Sequence, residues 1–466
     1  MKIKDLIKCD AGFQYVIDNM ELMSSAGRRR LLETVFETRP KALHDEWERT
    51  ARAITAVKAY EHKKPYIDLR HCLMQLHDLQ GTLASLANRT PLNEVELFET
   101  KSLAQLCSTA RCAIDSLGLA DMLPLPDLRE VFDMLDPDHT GIVNFYIYDS
   151  YDARLAPLRR ELSALQTAQG DPQRISDLLA EQGEIQQEVC LRLTDRLHPW
   201  AATLASALEQ LAYIDLLLAK AQLAIGWGLT RPEVGEYTEY KGLFNPRLKH
   251  RNEAQKLRYQ PVDITLHPGV CLITGANMAG KTVLLKSVGT AQAMAQCGMY
   301  VPASKAIVRL AEAIVTSVGD DQDEMNGLSS YAAEITKISD ILRQSQEQDL
   351  LVLIDEPART TNPVEGKALV QALINIMEQR GSVTLITTHY SQLGTGCRRL
   401  RVRGFVEEMA DVPLTPKNIN RFIDYSLVED QSDTVPHEAL RIAAILGCDG
   451  ELISQAKENV NKQINN

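Results

Sequence analysis

Apolar positions along this chain follow two regimes. Up to about residue 228 they recur at helical spacing. Leu31, Leu32, Val35 and Phe36 share one face, as do Leu69, Leu73, Leu76 and Leu79. Leu178, Ile185 and Val189 make a stripe over 173–197, and Leu204, Leu208, Leu211 and Leu218 another that runs to Gly226. From residue 269 the pattern changes to short unbroken apolar runs at 270–274, 313–318, 350–355 and 383–388, separated by helix-length segments. Unbroken runs of that length suit strands buried on both faces. The C-terminal region therefore predicts an α/β domain, doubly wound around a mostly parallel sheet, and the N-terminal region a mainly α-helical one.

Turn residues divide these regimes. Pro40, Pro65 and Pro91 punctuate the first helices, and Arg28-Arg29-Arg30 reads as a solvated helix end. Asp136-Pro-Asp138-His-Thr140-Gly141 resembles the start of a calcium loop, but Ile147 occupies the twelfth position, where a bidentate carboxylate is needed. The expectation there is a β-hairpin, with 143–148 as a strand. Gln169-Gly170-Asp171-Pro172 separates two helical segments, which predicts an antiparallel pair around a short tip. The expected organisation is a helical core over 1–150 with the hairpin near 136–148, a helical lever over 151–230, a connector over 231–268, the α/β domain over 269–405, and a strand and helical segment over 406–466.

Composition narrows the function classes. The chain has 466 residues, 45% hydrophobic and 24% charged, as in ordinary globular proteins. No signal peptide is read at Met1, and no run of about 18 apolar residues is seen, so no membrane span is expected. Nine cysteines with no C-x-x-C pair point to neither a zinc site nor a disulfide framework, and fit a reducing cytoplasm. A net charge of −12 weighs against sequence-independent DNA binding, which rests on cationic surface. Local basic runs exist at Arg247 to Arg258 and at Arg398-Arg399-Leu-Arg401-Val-Arg403. The first reads as a solvated connector or a phosphate-contacting segment.

The chemistry centres on Gly275-Ala276-Asn277-Met278-Ala279-Gly280-Lys281-Thr282. It lies between an expected strand and an expected helix, the setting a phosphate-binding loop (P-loop) requires. Its glycines let successive N–H groups turn on a polyphosphate, and the helix N-terminus adds donors. Lys281 would reach the β- and γ-phosphates of ATP and Thr282 would ligate Mg²⁺. The run at 350–354 ends in Asp355 and Glu356, a metal ligand and a group to orient attacking water. Thr387-Thr388-His389-Tyr390 closes the next run; His389 is either a γ-phosphate sensor or a loop histidine. Ser329 and Ser330, in Leu328-Ser-Ser-Tyr331, are either a helix N-cap or a phosphate contact offered to a facing subunit.

Taken in order, the glycine-rich loop, Gly298-Met-Tyr-Val-Pro-Ala303, Gly319-Asp-Asp-Gln322, Leu328-Ser-Ser-Tyr331, Asp355-Glu356, Pro363-Val-Glu-Gly-Lys-Ala-Leu369 and Thr387-Thr-His-Tyr390 resemble the MutS family of ABC-type ATPases. The segment 208–232, with Ala219-Lys-Ala221 and Thr230-Arg-Pro232, extends the likeness into the helical region. The second bacterial MutS branch is the most similar. The resemblance implies ATP hydrolysis at a composite dimer interface, with Asn277 holding the loop, Ser329 acting across the dimer, and helical levers carrying closure to a partner. Mismatch-reading and nuclease domains are expected to be lacking. Ala358 and Thr360 stand where the family has glycines. The implied partner is a second copy or a related MutS-like subunit, together with DNA in a mismatch repair or recombination role. The alternative implied is a protein client, as in reactivation factors for a cobalamin-dependent lysine or ornithine aminomutase.

Overall fold

The computed structural model describes residues 2–7, 12–275, 280–318, 330–390, 393, 396–405, 422–430, 440, 443–444 and 447–464. They form two compact units, one of Met1–Met20, Glu33–Glu48 and Leu223–Asn466, the other of Glu21–Leu32 and Arg49–Gln222.

The first unit contains ten described strands. They are β1 (Glu233–Val234), β2 (Thr238–Leu243), β3 (Val262–Leu266), β4 (Gly269–Thr274), β5 (Lys305–Val308), β6 (Ala313–Ser317), β7 (Leu350–Ile354), β8 (Val383–Thr387), β9 (Arg398–Phe405) and β10 (Ile423–Glu429). Six of them make a sheet of order β10-β9-β4-β8-β7-β6. It is parallel from β9 to β6, and β10 runs antiparallel at the edge. The four unbroken apolar runs are β4, β6, β7 and β8, and every residue of β4, β7 and β8 is buried. Helix Pro363–Arg380 packs on this sheet through Val370, Leu373, Ile374 and Met377. It starts where Asn362 accepts the Val364 N–H at 2.9 Å and stops at Gly381, whose φ of +70° no side-chain-bearing residue adopts readily. β9 lies outside the expected runs, because Arg398, Arg399, Arg401 and Arg403 hide its strand pattern, and β10 falls in the segment over 406–466 where a strand is expected.

The expected connector over 231–268 is structured. β1, β2 and β3 join β5 in a second sheet of order β1-β5-β2-β3, and helix Pro246–Ala254 lies between β2 and β3. Pro246 occupies the first turn of that helix and Asn245 caps it, accepting the Leu248 N–H at 3.1 Å. Pro246 is thus an element start.

Two N-terminal pieces belong to this unit rather than to a continuous helical core over 1–150. Gln296, fully buried at the end of helix Lys281–Gln296, fixes one of them. Its amide donates to Glu37 O at 2.9 Å and Ala311 O at 2.8 Å, and accepts the Ala311 N–H at 3.1 Å, while its own carbonyl takes the Glu37 N–H at 2.8 Å. Gly12 fixes the other: a Cβ there would lie 2.9 Å from Thr290 Oγ1.

The second unit is helical. Asn93 and Glu96 form a capping box at the start of helix Glu94–Ser116. Helix Leu155–Thr167 pairs with helix Pro172–Leu197, which Asp171 caps. The β-hairpin expected at 136–148 is absent: no strand occurs there. Asp136 accepts from Thr140 Oγ1 at 2.7 Å and from the Gly141 N–H at 2.7 Å, and pairs with buried Lys101 at 3.2 Å. Lys101 also donates to Asn144 O at 3.1 Å. Side chains take the backbone partners that a strand ladder would have used, so the strand-forming residues Phe145, Ile147 and Tyr148 pack individually. Arg29 pairs with Asp78 at 3.1 Å and Glu209 at 2.5 Å, not with solvent alone. Contrary to the sequence reading, Pro172–Trp227 contains an 18-residue stretch apolar enough to cross a membrane, of which 61% is buried inside the protein. Leu204, Leu208, Leu211 and Ile214 within Pro172–Trp227 are buried.

The Gln296 anchor is testable. Gln296→Leu leaves Glu37 O, Ala311 O and the Ala311 N–H without their partner, at about 1–3 kcal/mol for each buried group not reached by water. Urea denaturation should show a clearly lowered midpoint for the variant, and an unchanged midpoint contradicts the assignment.

Candidate nucleotide-binding site

β4 delivers the chain to the loop at the carboxyl edge of the parallel sheet, where ligand crevices of α/β sheets form. Gly275 has φ +137°, and a Cβ on it would sit 3.3 Å from the Val402 Cβ; Gly280 has φ +78°, and a Cβ on it would sit 3.3 Å from the Tyr425 ring. Glycine at both ends lets the backbone take this path against β9 and β10. Helix Lys281–Gln296 starts immediately after, with Gly280 as its N-cap. Ala276, Asn277, Met278, Ala279 and Ser329 lie outside the described residues, as does the Ser330 side chain at the opening of helix Ser330–Gln344.

Four of the expected groups come together. Lys281 is buried, donates to Gly275 O at 2.8 Å and pairs with Glu356 at 3.3 Å. Asp355 follows β7 directly, its N–H held by Ser317 O at 2.9 Å. Its carboxylate accepts from Thr282 Oγ1 at 2.6 Å on one oxygen and from Thr387 Oγ1 at 2.5 Å on the other. The Thr387 hydroxyl also accepts the Glu356 N–H at 2.9 Å. One threonine at the end of β8 thus positions both acids, a role the sequence reading did not give it.

Glu356 has φ +44° and Ala358 φ +58°. Such left-handed conformations in residues with a Cβ cost on the order of 1–3 kcal/mol each and persist where surroundings impose them. Arg359 pairs with Glu356 Oε2 at 3.4 Å, while Lys281 meets Oε1. His389 adjoins this group at the surface. Partial desolvation lowers its pKa and the positive charges of Lys281 and Arg359 add to that, against the pull of Glu356. The imidazole is therefore neutral at neutral pH.

A cavity of about 720 Å³ opens from these residues. Gly280, Lys281, Thr282, Asp355, Glu356 and Arg359 line one end; Leu243, Leu248, Tyr259, Val262, Tyr425 and Leu427 make an apolar wall beyond. Arg251, Asn252, Arg258 and Gln260 add polar groups. Two arginines from the basic run of 247–258 therefore face this cavity. Their signal was the charge itself, and only the fold of β2, helix Pro246–Ala254 and β3 shows where it points. Among the described residues no three His, Cys, Asp or Glu side chains cluster as a metal site. A hydroxyl beside a single carboxylate suits Mg²⁺, which takes few protein ligands and completes its shell with water and phosphate oxygens.

Comparison with known proteins fits this geometry. Residues 271–464 match the family description "MutS domain V". The chain is 32% identical over 217 residues to the DNA mismatch repair protein MutS of Thermus aquaticus, covering 46% of this chain and 26% of that protein. It is 37% identical over 186 residues to the endonuclease MutS2 of Thermus thermophilus, 40% of this chain and 24% of that one. It is 32% identical over 309 residues to the endonuclease MutS2 of Pediococcus pentosaceus, 63% of this chain and 37% of that one. The chain thus spans between about a quarter and two-fifths of the length of these relatives. Residues 271–464 are thus similar to MutS domain V, and it is in the C-terminal part of the chain that the likeness to MutS and MutS2 proteins lies.

Proposed function

We propose that the chain is a MutS-like ATPase that hydrolyses Mg·ATP to ADP and phosphate on a doubly wound P-loop domain. The observation that carries the reading is the placing of Lys281, Thr282, Asp355 and Glu356 at one end of a cavity behind a glycine-bounded loop. The triphosphate would lie along 275–282 at the helix N-terminus, where unpaired N–H groups and the dipole favour an anion. The apolar wall of Leu248, Tyr259, Val262 and Tyr425 offers the base a dry surface. Lys281 would exchange part of its contact with Glu356 for the β- and γ-phosphate oxygens. Thr282 and Asp355 would hold Mg²⁺, which offsets phosphate charge. Glu356 orients the water that attacks the γ-phosphorus as the bond to the β–γ bridging oxygen breaks, and neutral His389 beside it can hydrogen-bond the departing phosphoryl group. Ser329, and Ser330 beside it, would contact a nucleotide held by a second copy or a related subunit. ATP binding would then draw two α/β domains together, and the helices at 155–227 would carry that closure outward.

For the partner, the printed names of the relatives favour DNA in repair or recombination. A second reading, an ATP-driven remodeller of a protein such as an aminomutase, has its own support. Of the two basic runs, one faces the nucleotide cavity through Arg251 and Arg258. In the other, acids of the neighbouring strand pair with Arg398 (Glu429, 2.6 Å) and Arg403 (Asp424, 3.6 Å). Four arginines of the two runs are thus engaged by the cavity or by acids, while Arg247 and Lys256 stay exposed outside it.

Removing the water-orienting carboxylate should lower turnover by on the order of 10²–10³. Glu356→Gln should therefore still bind Mg·ATP and accumulate as an ATP-bound dimer, seen by light scattering at several protein concentrations. A variant that hydrolyses ATP at the wild-type rate, or stays monomeric with ATP, contradicts the scheme. Fluorescence anisotropy with paired, mismatched and branched duplexes separates the partners. The outcome expected is weak, unselective binding that falls by roughly 0.9 log units per phosphate contact for each tenfold rise in salt. Tight, salt-resistant, structure-selective binding would establish DNA as the substrate.

A further inference from the structure

Two residues beyond Glu356, Ala358 is anchored on every side. Its methyl lies in the buried cluster of Ile354, Val370 and Leu373. Its N–H donates to Glu334 Oε1 at 2.7 Å, from helix Ser330–Gln344. Its carbonyl accepts from the Tyr390 hydroxyl at 2.9 Å, from the segment after β8. The backbone there is left-handed, with φ +58°. The space for Tyr390 exists because residue 366 is glycine: a Cβ at Gly366 would lie 2.3 Å from Tyr390 Oη and 2.9 Å from Ala358 O.

The link from Ala358 to Glu356 is short and stiff. Pro357 lies between them and its ring fixes φ, so a shift at Ala358 is not absorbed there by rotation about that bond. Glu356 itself holds φ +44°. Its own N–H is fixed by Thr387 on the upstream side, which leaves the downstream side to be set at Ala358. We propose that Glu334 and Tyr390 are positioning residues for hydrolysis: by holding the two peptide groups that flank Ala358, they set the aim of the Glu356 carboxylate. This rests on the ATPase reading above. Neither side chain lines the nucleotide cavity, so the effect belongs on the chemical step and not on nucleotide affinity.

The test measures steady-state ATP hydrolysis and, by calorimetry, affinity for a non-hydrolysable Mg·ATP analogue. Wild-type protein comes first: no binding and no turnover there means that the ATPase reading itself has failed. With an active wild type, Glu334→Ala should lower kcat by about ten- to a hundredfold, the scale of a misplaced catalytic group, with analogue affinity held. Glu334→Gln keeps a side-chain carbonyl that can accept the Ala358 N–H and should recover most of the rate. Tyr390→Phe, a conservative change that loses only the hydroxyl, should also lower kcat. Combining it with Glu334→Ala should cost less than the product of the two losses, since both hold one residue. Wild-type kcat in both single variants, equal impairment of Glu334→Ala and Glu334→Gln, or a loss confined to nucleotide affinity would each overturn the proposal.

Discussion

The site depends on the carboxylate of Asp355. One oxygen takes the Thr282 hydroxyl from the first turn of the phosphate-loop helix, and the other takes the Thr387 hydroxyl from the end of β8. Asp355 itself continues from β7, whose backbone is paired to both β6 and β8. A single carboxylate side chain thus ties three elements together at the edge of the sheet. Charge-assisted hydrogen bonds of this kind are shorter and stronger than neutral ones. They also fix direction: with both oxygens engaged the carboxylate plane is set, and Thr387 returns the favour by taking the Glu356 N–H. The order of the strands makes this possible, because β4, β8 and β7 are adjacent and end at the same level.

That arrangement was legible in the sequence where burial is complete. β4, β7 and β8 have no solvent face, so their runs are dominated by apolar and β-branched residues, and Gly275, Asp355 and Thr388 follow directly at their ends. Lys281, Thr282, Asp355 and Glu356 sit at or just beyond those ends, which is why they could be named as candidates before any fold was known.

What was not legible depends on contacts distant in sequence. The segment 143–148 has strand-forming residues, but Lys101, more than 40 positions earlier, takes the Asn144 carbonyl and the Asp136 carboxylate. Gln296 looks like an ordinary polar helix end and is instead the buried anchor of residue 37. The arginines of β9 read as a basic patch until β10, antiparallel beside them, supplies Glu429 and Asp424. Ala358 shows the same limit from the other side. Its sequence context resembles a glycine position, and the left-handed backbone is kept with a methyl present because Glu334, Tyr390 and the core beneath hold it. Propensity describes a residue alone; these residues are decided by partners from elsewhere in the chain.

In the proposed ATPase, the cavity behind Gly275 and Gly280 holds a nucleoside triphosphate through Lys281. Isothermal calorimetry with Mg·ATP on the wild-type chain and on Lys281→Ala checks this, since among the described residues its ammonium is the one buried cation lining the cavity. Saturable binding is expected for the wild type and its loss in the variant, with the fold intact by circular dichroism. Equal affinity in the two proteins would contradict it.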